Sequence, residues 1–208
     1  MCRFVFILIG LMLVTSPLAA QAPAGWQVRI DRSTSASDPD DVAEIKVATI
    51  AKGFRVTGGP AGTFWNPANR AKGNFTGRGS FTLMKPSGHT NYYGLVFGGE
   101  ELGGAKQRYI YFLVAQDGTF IIRQRTGETV QDVHRAKHTA VRQPGANGMS
   151  TNALEVRVAG NDVSYVVNGT VVHTTPKSGA TAQTDGIVGV RINHLLDVQV
   201  DALEVQQQ

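Results

Sequence analysis

Apolar and polar residues alternate along most of the chain after Trp26. Successive side chains of a β-strand point to opposite faces, so alternation with period two is typical of strands that bury one face. No long window keeps the apolar stripe of an amphipathic helix. The pattern predicts strands at Trp26–Asp31, Ile45–Ile50, Phe54–Thr57, Thr63–Asn66, Gly77–Met84, Tyr92–Phe97, Arg108–Ala115, Thr119–Arg125, Leu154–Val158, Val163–Val167, Thr170–Thr174, Gly186–Ile192 and Leu196–Val205.

Tight turns separate several of these strands. Asn168-Gly169 lies between two β-rich runs, and this dipeptide tolerates the two positive φ angles of a type I′ hairpin. Gly160-Asn161 and Asp117-Gly118 mark further turns. Parallel strands need long crossover connections, so these turns indicate antiparallel sheets. The sequence therefore predicts an all-β sandwich or barrel.

The last predicted strand changes phase along its length. Leu196, Val198 and Val200 occupy alternate positions, whereas Leu203 and Val205 are out of step with them. One extra residue in a strand shifts the following side chains to the other face. A bulge near Asp201-Ala202 is therefore expected.

The first twenty residues have the pattern of a secretory signal peptide. Arg3 gives a positive start, an almost unbroken apolar run follows from Phe4 to Val14, and small residues extend to Ala20. The run is about half of the ~20 residues that a membrane-spanning helix needs. Cys2, the only cysteine, leaves with this segment. We therefore expect a secreted or periplasmic bacterial protein, with residues 1–20 removed and residues 21–208 forming one domain without disulfides.

Composition narrows the range of partners. The chain has 20 basic and 16 acidic residues among 208, a formal net charge of +4, and the basic residues are scattered. A nucleic-acid groove or a polybasic membrane patch needs clustered positive charge. The sequence accordingly predicts no nucleic-acid partner and no membrane association after signal cleavage.

The order of motifs in the second half of the chain resembles a known group. The motifs are Gly94–Gly99, the aromatic strand Tyr109–Val114, Asp117-Gly118, Asn152–Val156, Val166–Gly169 and Asp185–Arg191. They are similar to the concanavalin A-like lectin/glucanase superfamily, and within it to the 3-keto-disaccharide hydrolase-like domains. The resemblance implies a jelly-roll sandwich of two curved antiparallel sheets that binds or cleaves carbohydrate. It also implies a functional role for His194, although His194-Leu195 replaces the His-Gly pair of those domains.

Glycoside hydrolysis usually needs two carboxyl groups that flank the scissile bond. The nearest acidic pair is Glu100-Glu101, which follows a double glycine at the end of a predicted strand. Adjacent strand residues point to opposite faces, so both could serve one site only from a loop. If the protein is an enzyme, His194, Glu100 and Glu101 are the acid/base candidates; otherwise the two glutamates are ordinary solvated loop residues. The Glu-x-Asp-x-x-Glu signature of the sandwich glucanases does not occur.

Three aspartates, Asp38, Asp40 and Asp41, lie close together around Pro39. Oxygen ligands in a loop can hold Ca²⁺, although this spacing is not that of an EF-hand. A calcium site and an ordinary acidic turn are both open at this stage.

Saccharide binding is the function that the residues favour most. Sugar rings present apolar C–H faces to aromatic side chains and hydroxyls to Arg, Asn and His. If Ile110 and Phe112 face the core, Tyr109 and Tyr111 project from the opposite face. The candidate ligand-binding residues, which a concave sheet would bring together, are Trp65, Tyr109, Tyr111, Arg191, Asn193 and His194.

Three functions stay open at the level of sequence. The first is binding of an oligo- or polysaccharide by the concave sheet, and the second is hydrolysis of a 3-keto-disaccharide-like glycoside. The third is a structural or adhesive role without a small ligand. A separate alternative concerns Tyr109 and Tyr111, which could be covered by a loop, for example the segment around Trp65, instead of lining an open groove.

Overall fold

The computed structural model describes residues 22–32 and 44–208. Regular structure in this part of the chain is nearly all β, apart from a short 3-10 turn at Gly179–Thr181. None of its helices is long and apolar enough to cross a bilayer. The strands are β1 (Gln27–Asp31), β2 (Lys46–Ile50), β3 (Gly53–Thr57), β4 (Ala61–Ala71), β5 (Phe75–Lys85), β6 (Tyr92–Glu100), β7 (Arg108–Ala115), β8 (Thr119–Thr126), β9 (Thr129–Lys137), β10 (Ser150–Ala159), β11 (Asp162–Val167), β12 (Thr170–Pro176), β13 (Gly186–Ile192) and β14 (Asp197–Gln207).

The strands form two seven-stranded sheets. Sheet A has the order β1-β4-β13-β6-β7-β8-β9, and sheet B has the order β12-β11-β10-β5-β14-β3-β2. Every neighbouring pair is antiparallel, for example β6 with β7 and β10 with β5. The predicted antiparallel architecture is therefore confirmed. The predicted strands are also confirmed, with several ends longer than the alternation indicated, and β9 is an additional strand.

The tight turns have the predicted backbone. Asn168 and Gly169 both have positive φ, at 49° and 83°, which matches the type I′ hairpin between β11 and β12. Gly160-Asn161 joins β10 to β11, because Ala159 pairs with Asp162 across that turn. The three strands form the meander that these dipeptides indicate.

The core lies between the two sheets. Alternate residues of β7, Ile110, Phe112 and Val114, face it from sheet A. The ring of Phe112 packs edge-on against Tyr165 of sheet B, with ring centroids 5.3 Å apart. Burial of these aromatic and branched side chains away from water is what holds the sheets together.

The predicted bulge is confirmed in β14. The register between β14 and β5 shifts between Val200 and Ala202. Val200 is buried in the core before the shift, and Leu203 and Val205 pack against the same core after it. The extra residue thus keeps both halves of the long strand directed inward.

Candidate functional site

Sheet A buries apolar side chains on its outer face as well as on its core face. This second cluster contains Trp65 from β4, Val96 from β6, Tyr109, Tyr111 and Leu113 from β7, and Ile121 from β8. Tyr109 and Tyr111 alternate with the core residues of β7, so their predicted direction is confirmed. An outer sheet face usually meets water, so a buried cluster there needs a cover.

A loop from Glu101 to Gln107, between β6 and β7, covers part of this cluster. Leu102 packs into it, and Gly103 lies against the edge of the Trp65 ring. Tyr109 is fully buried and Trp65 is only 5% exposed. Neither ring therefore lies open for stacking on a sugar. Of the two alternatives for the tyrosines, the structure shows the covered one.

Arg191 joins the covered aromatic residues to an ion-pair network. Its Nη1 donates to Asp31 Oδ2 at 2.6 Å, to Thr63 Oγ1 at 3.1 Å and to Tyr109 Oη at 3.1 Å. The guanidinium also lies 5.9 Å from the centre of the Tyr111 ring. The side chain is nearly buried, so these bonds fix its position.

Two further arginines converge on the same carboxylate. Arg29 Nε lies 2.9 Å from Asp31 Oδ1, and Arg125 Nη1 lies 3.3 Å from Asp31 Oδ2. Arg29 also donates to the carbonyl of Gly104, which ties β1 to the covering loop. We call Asp31, Arg29, Arg125, Arg191, Tyr109, Tyr111 and Trp65 the outer-face cluster of sheet A.

The contact between Asp31 and Arg125 shows how strongly sheet A is curved. Four strands separate β1 from β8 in the sheet. On a flat sheet these two strands would be about 24 Å apart, given an inter-strand spacing of about 4.8 Å. Aspartate and arginine side chains together cannot span that distance, yet these two touch. The outer face of sheet A is therefore concave.

The electrostatics of the cluster favour fixed charges. Burial alone raises the pKa of Asp31, but the charges and hydrogen bonds of Arg191, Arg29 and Arg125 outweigh it and hold the pKa below its usual value. Burial lowers the pKa of Arg191, but the interactions with Tyr109 and Asp31 raise it by more, so the net shift is upward. Asp31 is thus ionised near neutral pH and has no proton to donate there as a general acid.

His194 lies at one end of the concave face, in the turn after β13. Its Nε2 is 3.0 Å from Nε2 of His89, and its carbonyl accepts a hydrogen bond from Asn91. Asn91 thereby links the loop before β6 to the turn after β13. Asn193 donates its backbone N–H to Tyr92 and is half-buried. His194 and Asn193 are therefore more accessible than Tyr109, and they lie three and two residues beyond Arg191.

Glu100 and Glu101 lie at the opposite end of the sheet. Gly99 pairs with Ile187, near the start of β13, whereas His194 follows its end. The strand rise of about 3.3 Å per residue places the glutamates roughly 20 Å from His194. Glu100 forms an exposed ion pair with Arg70, and Glu101 is exposed in a left-handed conformation. The structure does not bring the three acid/base candidates together.

The predicted calcium ligands, Asp38, Asp40 and Asp41, lie outside the described residues. Within residues 22–32 and 44–208, no group of three or more His, Cys, Asp or Glu side chains could hold a metal ion.

Sequence reasoning missed Asp31, Arg29, Arg125 and His89. Arg29 and Asp31 do carry a signal, because two charged residues at alternate strand positions share one face. The sequence does not indicate that the curvature of sheet A brings β1 close enough to β8 for Asp31 to contact Arg125.

Sheet B presents a different outer face. Small residues Ala153, Ser80 and Ala202 pair side by side across β10, β5 and β14. They form the floor of an open groove of about 220 Å³, with the ion pair of Arg78 and Glu204 along one side. None of the sequence-predicted site residues lines this groove.

Comparison with solved structures identifies the fold. A carbohydrate-binding module, CBM66 from Bacillus subtilis, has a TM-score of 0.62 and 10% identity over 88% of this chain and 95% of its own. The β-glucanase of Bacillus licheniformis has a TM-score of 0.56 and 11% identity over 91% of this chain and 95% of its own. The protein has the concanavalin A-like lectin/glucanase fold. This confirms the jelly-roll sandwich that the sequence predicts.

A third similar structure is the exoplasmic/lumenal domain of VIP36, bound to Ca²⁺ and Man3GlcNAc. Its TM-score is 0.57, with 7% identity over 88% of this chain and 84% of its own. No protein-family model matches the chain. No curated protein matches it significantly either. At these identities the likeness establishes the fold alone.

Proposed function

We propose that the protein binds an oligo- or polysaccharide non-covalently at the concave outer face of sheet A. One observation carries the proposal: Arg191, Asp31 and Tyr109 form a buried, hydrogen-bonded cluster on the solvent side of the sheet. A β-sandwich needs buried side chains only between its two sheets. Fixed polar groups beside apolar rings on a concave face are characteristic of ligand sites.

The cluster offers two layers to a ligand. Arg191, Tyr109 and Trp65 are nearly buried and hold the others in place. Arg29 and Arg125 are more open, with side chains 26% and 17% exposed. Guanidinium groups donate paired hydrogen bonds that suit neighbouring hydroxyls or an acidic group of a sugar. We assign ligand contact to Arg29, Arg125, His194 and the Nη2 edge of Arg191, and positioning to Tyr109 and Trp65.

The fold neighbours support the ligand class. CBM66 is a carbohydrate-binding module, and the VIP36 domain was solved with Man3GlcNAc bound. Transfer of this ligand class to the present chain is part of the proposal.

Binding fits the site better than hydrolysis does. The carboxylate of the cluster, Asp31, is held ionised by three arginines. Glu100 lies roughly 20 Å from His194 by strand spacing. A pair of carboxyl groups around one bond is what most glycoside hydrolases need. The relation to 3-keto-disaccharide hydrolase-like domains therefore extends, in this proposal, to the fold and the sugar ligand and not to turnover.

We also propose that binding takes place in the periplasm or outside the cell. The signal-peptide pattern of residues 1–20 supports this location.

Proton NMR of an oligosaccharide panel with the purified protein tests the proposal. We expect line broadening of bound saccharides without new anomeric signals. Arg125→Gln should weaken binding by about tenfold, since one hydrogen bond from a charged group contributes about 1.5–3 kcal/mol. Ala153→Leu, which fills the groove of sheet B, is the matched control and should leave binding unchanged.

Three outcomes would contradict the proposal. New anomeric signals would make the protein an enzyme. Loss of binding in Ala153→Leu with full binding in Arg125→Gln would move the site to sheet B. No broadening with any saccharide would favour a structural or adhesive role.

A further inference from the structure

The outer-face cluster of sheet A contains more positive than negative charge. Arg29, Arg125 and Arg191 all contact Asp31, the one carboxylate that their ion pairs share. Their side chains are between 11% and 26% exposed. Among residues 22–32 and 44–208, these three guanidinium groups and one carboxylate leave two positive charges in a largely desolvated site. Burial of uncompensated charge is costly, so such a site favours an anion.

The neighbouring neutral groups do not remove this charge. The side-chain amide of Gln107, which is fully buried, satisfies its surroundings when its oxygen faces the arginines. That oxygen is then 3.1 Å from Nη2 of Arg29 and 3.3 Å from Nε of Arg125. Arg125 Nε also donates to the carbonyl of Gly127. Carbonyl oxygens orient the guanidinium groups but carry no net charge.

Two of the guanidinium groups keep donors available. The hydrogen bonds of Arg191 to Asp31, Thr63 and Tyr109 all come from Nη1, and those of Arg125 come from Nε and Nη1. Within the described residues, Nη2 of both arginines has no hydrogen-bond partner in the protein. Because both Nη1 atoms contact the same Asp31 oxygen, the two groups converge, and their remaining donors match a planar or tetrahedral oxyanion.

We infer that the saccharide recognised at this face is anionic, and that a carboxylate or sulfate of the sugar binds at Arg125 and Arg191. The inference rests on the proposed function, because it assigns the charge of the ligand at the same site. A uronate carboxylate and a sulfate group both present negatively charged oxygens that accept hydrogen bonds from arginine. The experiment below distinguishes the two.

Isothermal titration with matched ligands tests the charge. The probes are trigalacturonate, its methyl ester, which has the same backbone without charge, and a sulfated carrageenan tetrasaccharide. We expect an anionic probe to bind at least about tenfold more tightly than the methyl ester, the effect of one charge-assisted contact. Tighter binding of trigalacturonate identifies a uronate ligand, and tighter binding of the carrageenan fragment identifies a sulfated one.

Charge variants place the effect at the cluster. Arg125→Gln should reduce the preference for the anionic probe to less than about threefold, because it weakens binding of that probe more than binding of the methyl ester. Arg78→Gln removes an exposed arginine on the outer face of sheet B and should keep the full preference. Asp31→Asn removes the competing carboxylate and should strengthen binding of the anionic probe.

Failure of the inference and failure of the proposed function look different. Equal affinity for trigalacturonate and its methyl ester, or binding of only neutral oligosaccharides, overturns the anionic ligand but leaves saccharide binding intact. Equal loss of preference in Arg125→Gln and Arg78→Gln means that general surface charge is responsible, which also overturns it. Absence of binding to every charged and neutral saccharide overturns both.

Discussion

The outer faces of the two sheets both arise from alternation of side chains along the strands, but one face is buried and the other is exposed. Sheet A places large rings, Trp65, Tyr109 and Tyr111, on its outer face and covers them with a loop. Sheet B places Ser80, Ala153 and Ala202 at corresponding outward positions and leaves them open as a groove. The contrast teaches that outward direction on a strand does not determine exposure. Curvature and loop packing decide it.

The ion pairs of the two faces make the same point. Arg191 and Asp31 are 2.6 Å apart with side chains 11% and 13% exposed, whereas Arg78 and Glu204 are 2.7 Å apart and both 56% exposed. The bond lengths are nearly equal. Water screens the exposed ion pair on sheet B. The ion pair on sheet A has lost most of its contact with water and depends on hydrogen bonds from neighbouring protein groups instead.

Removal of the arginine from each pair gives the largest expected difference. Arg191→Met should lower the free energy of unfolding by about 2–3 kcal/mol, because Asp31, Thr63 and Tyr109 all lose the guanidinium that hydrogen-bonds to them. Arg78→Met should leave the unfolding midpoint unchanged. Urea denaturation of both variants measures the contrast. Similar midpoints for the two variants would mean that the sheet A cluster is as well solvated as the surface of sheet B.

Removal of one hydroxyl from each face is a smaller test. Tyr109→Phe deletes the hydroxyl that accepts a hydrogen bond from Arg191 Nη1 at 3.1 Å. The buried guanidinium then loses one acceptor, so the free energy of unfolding should fall by about 1–2 kcal/mol. Thr82→Val deletes the hydroxyl that lies 2.9 Å from that of Thr151 on sheet B. The bond is exposed, and thermal unfolding of this variant should match that of the unaltered protein. A larger loss in Thr82→Val than in Tyr109→Phe would contradict the difference in burial.

Local patterns sufficed for the strands and turns, because alternation and positive φ are properties of neighbouring residues. Asn168-Gly169 and the bulge near Asp201-Ala202 are examples. The same patterns gave the direction of Tyr109 but not its burial. Tyr109 shares its buried cluster with Leu102 of the covering loop, a residue outside the alternating pattern of any strand. The role of Asp31 required knowledge of which strands face each other across a curved sheet, and no local pattern contains that information.

Acid should weaken the sheet A cluster selectively. The folded-state pKa of Asp31 is held below the ordinary value of 3.8, so its stabilising effect is present above that pH. The effect is lost as pH falls from that value through the folded pKa. The free energy of unfolding between pH 6 and pH 2.5 should therefore fall less in Asp31→Asn than in the unaltered protein. Glu204→Gln on sheet B is the control and should keep the original slope; equal slopes for all three proteins would argue against a coupled carboxylate.

The smallest expected effect lies where the two sheets meet at one edge. His134 of β9 stacks on His173 of β12, with ring centroids 3.8 Å apart and planes 12° from parallel. Burial, with a contribution from the charge of His134, lowers the pKa of His173. The unfolded chain binds the proton more readily, so stability is complete above about pH 6.5 and decreases as pH falls from there through the folded pKa.

His173→Gln should remove part of this pH dependence between pH 7 and pH 5, which thermal unfolding at closely spaced pH values can measure. His138→Asn is the control, because His138 accepts a local backbone hydrogen bond that asparagine can replace. A change in saccharide affinity in His173→Gln would link this edge to the concave face of sheet A. An unchanged affinity with a flatter stability profile would confine the histidine pair to holding together β9 and β12, one edge strand of each sheet.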